Sequence, residues 1–117
     1  MDGAHFDDEA LDASTQLLAV AGELDLATVG DLRRRIEAAY ATGAPQLVID
    51  LAHVTHMDST GLAELISAHQ RAMELRGRLV LVVTSAAILR TLEIRGVVNL
   101  FTVVDSRVGA RELLAPG

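Results

Sequence analysis

Asp58-Ser59-Thr60-Gly61 is where residue types and spacing in this chain most clearly suggest chemistry. An acid, two hydroxyls and a glycine stand between an apolar run, Leu47-Val48-Ile49, and a helical pattern that leads out from Leu62. That places Ser59 and Thr60 at a helix start, beside backbone N–H groups with no partner inside the helix. A hydroxyl there can cap the helix or accept a phosphate. A phosphate would add about −1.5 to −2 units of charge. The helix dipole tolerates that charge, so the domain need not unfold. With Asp58 adjacent, however, the local negative potential rises sharply. A partner surface fitted to a neutral hydroxyl then meets a partly desolvated dianion. At about 1.4 kcal/mol per tenfold in affinity, a penalty of a few kcal/mol releases that partner. Gly61 leaves room for another backbone or a nucleotide phosphate. Asp58 either orients Ser59 or caps the helix, and the residues alone leave both roles open. Capping is the simpler role for Thr60.

Other polar groups offer less. His53 and His56 are three apart before the acid and the hydroxyls, too few ligands for a metal site without an identifiable third. His69 falls on the inner face of the following helix, and His5 in the acidic N-terminal stretch. No metal and no cofactor is expected. A serine hydrolase built on Ser59 with His56 or His53 is disfavoured. Met57-Asp58-Ser59-Thr60-Gly61 lacks the first glycine of a nucleophile elbow, and no separate acid–histidine pair is evident. The chain therefore reads as a non-enzyme. Glu23 and Asp25 fit the end of a strand and the opening of a turn. Asp50, at a strand end, reads as structural. Arg33, Arg34 and Arg35 read as a solvated face, with docking of an acidic partner as the alternative.

Composition narrows the class. In 117 residues there are 10 basic and 16 acidic side chains, a net charge of −6. That disfavours a nucleic-acid or anionic-membrane role, which calls for basic patches. All the basic residues are arginine. There is no cysteine, which excludes disulfides and thiolate chemistry. No apolar run approaches the roughly 18 residues of a membrane span. The N-terminus is acidic and lacks a signal-like segment, so a cytoplasmic location is expected.

The elements that must position the site follow from periodicity. Residues 1–14 read as a flexible N-terminus or a weak edge strand around His5 and Phe6, and 15–114 as a single domain. Gln16 to Ala21 is strand-like, and Gly22-Glu23-Leu24-Asp25 reads as a turn. Thr28 with Asp31 looks like a capping box before a helix carrying Val29, Leu32, Ile36 and Tyr40, stopped by Gly43 and Pro45. Gln46 to Leu51 is a continuous apolar run of the buried parallel kind. Ser59 to Arg76 is the strongest helix, with Leu62, Leu65, Ile66, His69 and Met73 as its inner face and Gly77 as its stop. Leu79 to Val83 is a third strand. Ser85 caps a helix through Leu92 that ends near Gly96, and Phe101 to Val104 is a short last strand. Asp105 or Ser106 caps a final helix with Val108, Leu113 and Leu114. Ala115-Pro116-Gly117 read as a frayed end. Alternating strands and helices imply a four- to five-stranded, mostly parallel (mixed) sheet with about four helices, an α/β domain.

Two signatures resemble the STAS domain in its stand-alone bacterial form, the anti-sigma factor antagonist or anti-anti-sigma factor. The first is Val20-Ala21-Gly22-Glu23-Leu24-Asp25 with Thr28. The second runs from Val48-Ile49-Asp50-Leu51 to Met57-Asp58-Ser59-Thr60-Gly61-Leu62. Leu92-Glu93-Ile94-Arg95-Gly96 to Leu100-Phe101 looks like the family's closing segment. The resemblance implies a STAS-like fold and a binding protein that captures an anti-sigma factor serine kinase of the GHKL ATPase type, with its nucleotide, and frees a sigma factor. It implies phosphorylation at Ser59, with Thr60 as second choice, and a PP2C-type phosphatase that resets the switch. It implies a partner surface of Glu23, Asp25, Thr28, Asp58, Ser59, Thr60 and Gly61, and leaves weak homodimerisation open. His56 stands where the family has a large apolar or aromatic residue. A STAS module that is not phosphorylated, serving as a scaffold in a signalling complex or as an accessory subunit of a lipid transporter, is the alternative the resemblance allows.

Overall fold

The computed structural model describes residues 3–115. Met1, Asp2, Pro116 and Gly117 lie outside the described residues, and with them part of the expected frayed ends. Five strands form one mixed sheet in chain order: β1 Ala4–Asp12, β2 Thr15–Leu24, β3 Gln46–Met57, β4 Arg78–Val82 and β5 Thr102–Val104. β1 runs antiparallel to β2, and every later neighbour is parallel. The helices are α1 Val29–Ala41, α2 Ser59–Glu74, α3 Ala86–Ile94 and α4 Arg107–Leu114.

Strand alternation sorts the core into two layers. Leu18, Val20, Leu47, Ile49, Leu79 and Leu81 point to the face covered by α1, α2 and α3. Their neighbours Leu17, Val48, Val80 and Val82 point to the opposite face, where Ala110 and Leu114 of α4 cover them. The continuous apolar runs of β3 and β4 are explained by this double cover. Asp50 interrupts the second layer. It lies within β3 and not at its end, is 5% exposed, and accepts a 2.6 Å bond from Arg107 Nε at the start of α4. A buried carboxylate without such a partner would cost several kcal/mol, so the pair fixes where α4 docks.

Several elements differ from the sequence expectation. Of the two readings of residues 1–14 the edge strand holds, and it is longer than expected: β1 is paired from Ala4–Gly22 to Asp12–Thr15. Its acids hide it from hydrophobic periodicity because one side of an edge strand meets water. Asp8, for instance, pairs with Arg35 of α1. Gly22-Glu23-Leu24 is strand and not turn, and the chain turns only at Asp25 to Thr28. The strand expected over Gln46 to Leu51 is longer and takes in His53 and His56 as exposed residues, because β3 runs past its last β4 pair, Asp50–Val82, as far as Met57. Met73 is exposed, and Gly61, Ala68 and Ala72 take the inner face of α2 with Leu62 and Leu65. His69 is half-buried, edge-on to Phe101. At the end of α2 it is Arg76 that adopts the left-handed conformation, φ 56°. Gly77 instead lets the chain pass Pro45, whose carbonyl oxygen would lie 1.9 Å from a Cβ. In α4, Ala110 and Leu114 pack inward while Val108 and Leu113 are exposed.

Candidate functional site

Two loops meet where the parallel strands end at their carboxyl ends. β2 and β3 finish side by side at the pair Leu24–Met57. The Asp58 amide donates to the Leu24 carbonyl at 3.0 Å, tying the start of α2 to the end of β2. Gly61 makes the approach feasible. A Cβ there would stand 2.8 Å from Leu24 Cβ and 2.9 Å from its carbonyl oxygen. The space that Gly61 leaves is thus taken by this chain's own backbone.

Asp58 is the N-cap of α2. Its Oδ1 accepts from the Thr60 amide at 2.9 Å and the Gly61 amide at 3.2 Å, and the Thr60 hydroxyl donates to the same oxygen. The Thr60 hydroxyl bond, then the Gly61 amide, hold the Asp58 carboxyl below its ordinary value, and the nearby His56 adds to the effect. Of the two roles left open for Asp58, capping is the one it fills, and the expectation for Thr60 is revised: it supports the cap without being one. Ser59 is the first residue of the helix. It is exposed, and its hydroxyl makes no hydrogen bond among the described residues. A carboxylate cap forms charge-assisted bonds and takes the work a serine would do.

The facing loop is equally ordered. Asp25 Oδ1 accepts from the amides of Ala27 at 3.0 Å and Thr28 at 3.2 Å, an Asx turn. Buried Thr28 donates its hydroxyl to the Glu23 carbonyl at 2.8 Å and accepts from the Asp25 amide at 3.0 Å. The capping box expected from Thr28 and Asp31 does not form, because the Thr28 hydroxyl turns back to the strand end and Asp31 pairs with Arg34. Glu23 is exposed and stands beside His56 in the register of β2 and β3.

The family assignment follows from the likeness of the chain to known proteins. Residues 11–110 match the STAS domain. The chain belongs to the STAS domain family. Its STAS relatives include proteins named anti-sigma-B factor antagonist from Listeria monocytogenes and Listeria innocua, each 32% identical over 84 residues, 72% of this chain and 74% of the relative. The crystal structure of an anti-sigma factor antagonist from Mycobacterium paratuberculosis superposes with a TM-score of 0.87 at 26% identity, covering 96% of this chain and 94% of that one. The unphosphorylated form of the antagonist SpoIIAA shares the STAS fold at a TM-score of 0.78 and 20% identity, covering 93% and 96% of the two chains.

In this STAS domain the first signature supplies Glu23, Asp25 and Thr28, and the second supplies Asp58, Ser59, Thr60 and Gly61. The sheet brings the two loops together through Leu24, which touches both. Sequence reasoning missed two features nearby. Arg33 of α1 binds Glu64 of α2 at 2.9 Å, where Glu64 is almost wholly buried, and so locks the helices that follow the two loops. A charged residue within the apolar stripe of α2 was the available signal. Leu26, at the loop tip, is 76% exposed.

Proposed function

We propose that this STAS domain acts by partner switching. In its unphosphorylated form it binds an anti-sigma factor serine kinase of the GHKL type, with nucleotide bound, and thereby frees a sigma factor in the cytoplasm. The kinase then phosphorylates Ser59. The serine oxygen bonds to the γ-phosphorus of ATP, the bond to ADP breaks, and the hydroxyl proton leaves to the kinase. Binding is lost, and a PP2C-type phosphatase restores the hydroxyl by hydrolysis. The chain itself performs no catalysis in this scheme.

The observation that carries the reading is the free hydroxyl of Ser59, exposed at the head of a helix whose cap is already supplied by Asp58. A phosphate there breaks no bond of the fold and meets the positive end of the helix dipole. The partner, in contrast, meets a new charge beside the Asp58 carboxylate. The name of the Listeria relatives supports the direction of action.

The test is incubation of the purified chain with its cognate anti-sigma factor kinase and ATP, followed by intact-mass analysis and peptide mapping. One phosphate on Ser59 is expected, absent in Ser59→Ala, with weakened kinase binding in Ser59→Asp. A chain that neither binds that kinase nor gains phosphate would overturn the proposal.

A further inference from the structure

We infer that Leu26 is the apolar anchor by which the kinase grips this domain, an inference that rests on the partner-switching reading above. Leu26 is 76% exposed at the tip of the loop between β2 and α1. Singly exposed apolar side chains are common on protein surfaces, so it is place, and not exposure alone, that selects among them. Ile94, at the end of α3, is 75% exposed, but it lies on another element with no comparable site chemistry beside it.

Three features single out Leu26. The first is place. Leu26 follows Leu24 by two residues, which keeps their Cα atoms within about 7 Å. Leu24 in turn bonds the Asp58 amide and packs on Gly61. The loop that carries Leu26 therefore leaves from the strand end to which the start of α2, and with it Ser59, is tied. The second is rigidity. The Asp25 carboxylate and the Thr28 hydroxyl hold the backbone on both sides of Leu26. A pre-ordered tip loses little conformational freedom when it docks. The third is that the turn does not need a leucine. The Asx turn is made by Asp25 and by backbone amides, so the apolar side chain contributes nothing to it.

The matching surface is an apolar socket on the kinase, beside the nucleotide whose phosphate reaches Ser59. Docking the leucine there would bury a side chain that now faces water. Truncation of such an anchor raises the dissociation rate more than it slows association.

The experiment is calorimetric titration of the purified cognate kinase, with ADP present, against the wild-type chain, Leu26→Ala, Leu26→Met and Ser59→Asp. Leu26→Ala should weaken binding by about tenfold or more, and Leu26→Met by no more than about threefold, since it keeps the apolar bulk. Both should unfold at the wild-type temperature. With ATP, Leu26→Ala should raise the KM for phosphorylation while kcat stays near wild type. If Leu26→Ala binds as wild type while Ser59→Asp does not, the anchor is refuted and the switch stands. If the wild-type chain neither binds the kinase nor is phosphorylated, the functional reading fails and the anchor falls with it.

Discussion

The N-termini of α3 and α4 are capped by serines, and that of α2 is capped by an aspartate. Ser85 accepts the Ile88 amide at 3.3 Å, and Ser106 accepts the Gly109 amide at 2.9 Å. Both hydroxyls are committed to their helices. At α2 the acid takes the capping position, and the serine is displaced by one residue into the first turn, with its hydroxyl unbonded among the described residues. Thr28, before α1, is committed as well, through its bond to the Glu23 carbonyl. A modifiable hydroxyl therefore needs more than a place at a helix start. It needs a neighbour that relieves it of structural work, so that its modification is felt by a partner and not by the fold.

The largest expected difference is in phosphate acceptance and its consequence. Kinase and ATP should modify Ser59 and leave Thr60, Ser85 and Ser106 unmodified, and the modified chain should bind the kinase about a hundredfold more weakly, equivalent to about 2.7 kcal/mol. Phosphate on a capping serine in the mass map would break the contrast. Gly61→Val comes next. Its side chain would collide with Leu24, so a loss of about 1–3 kcal/mol is expected in urea titrations. Binding should fall with it, because the same contact joins the two loops.

Alanine at each serine then sharpens the comparison. Ser85→Ala and Ser106→Ala should each cost about 1 kcal/mol of stability, as lost caps do. Ser59→Ala should leave the unfolding midpoint unchanged, since its hydroxyl has no bond to lose among the described residues. The smallest effect concerns acid. The Asp58 carboxyl is held below its usual value of 3.8, first by the Thr60 hydroxyl. Its contribution is therefore complete above about that pH and is lost as pH falls through the depressed value. Asp58→Asn keeps a capping oxygen but removes the charge. The mutant should show a flatter decline in melting temperature than wild type below pH 3.8.

How far the sequence was readable can be judged from particular residues. β3 and β4 declare themselves because burial on both faces demands unbroken apolar runs. β1 does not, since an edge strand wetted on one side can be written with acids and is held by backbone pairing with β2. Met73 looks inward by periodicity but is exposed, because the small residues Gly61, Ala68 and Ala72 turn the buried face of α2 toward themselves. Close helix–sheet contact selects small side chains, which carry almost no hydropathy signal.

The order of strands and helices, the family signatures and the motif that presents Ser59 were all written in local residue types, because periodicity, turn chemistry and helix-start preferences act over a few neighbours. Three things were decided only in three dimensions. They are the choice of Asp58 over Ser59 and Thr60 as the cap, the seating of Leu24 against Gly61 that unites the two loops, and the burial of Asp50 under Arg107 from 57 residues away. Each depends on which of several competent partners stands within hydrogen-bond or van der Waals reach. Reach is a property of the packed chain.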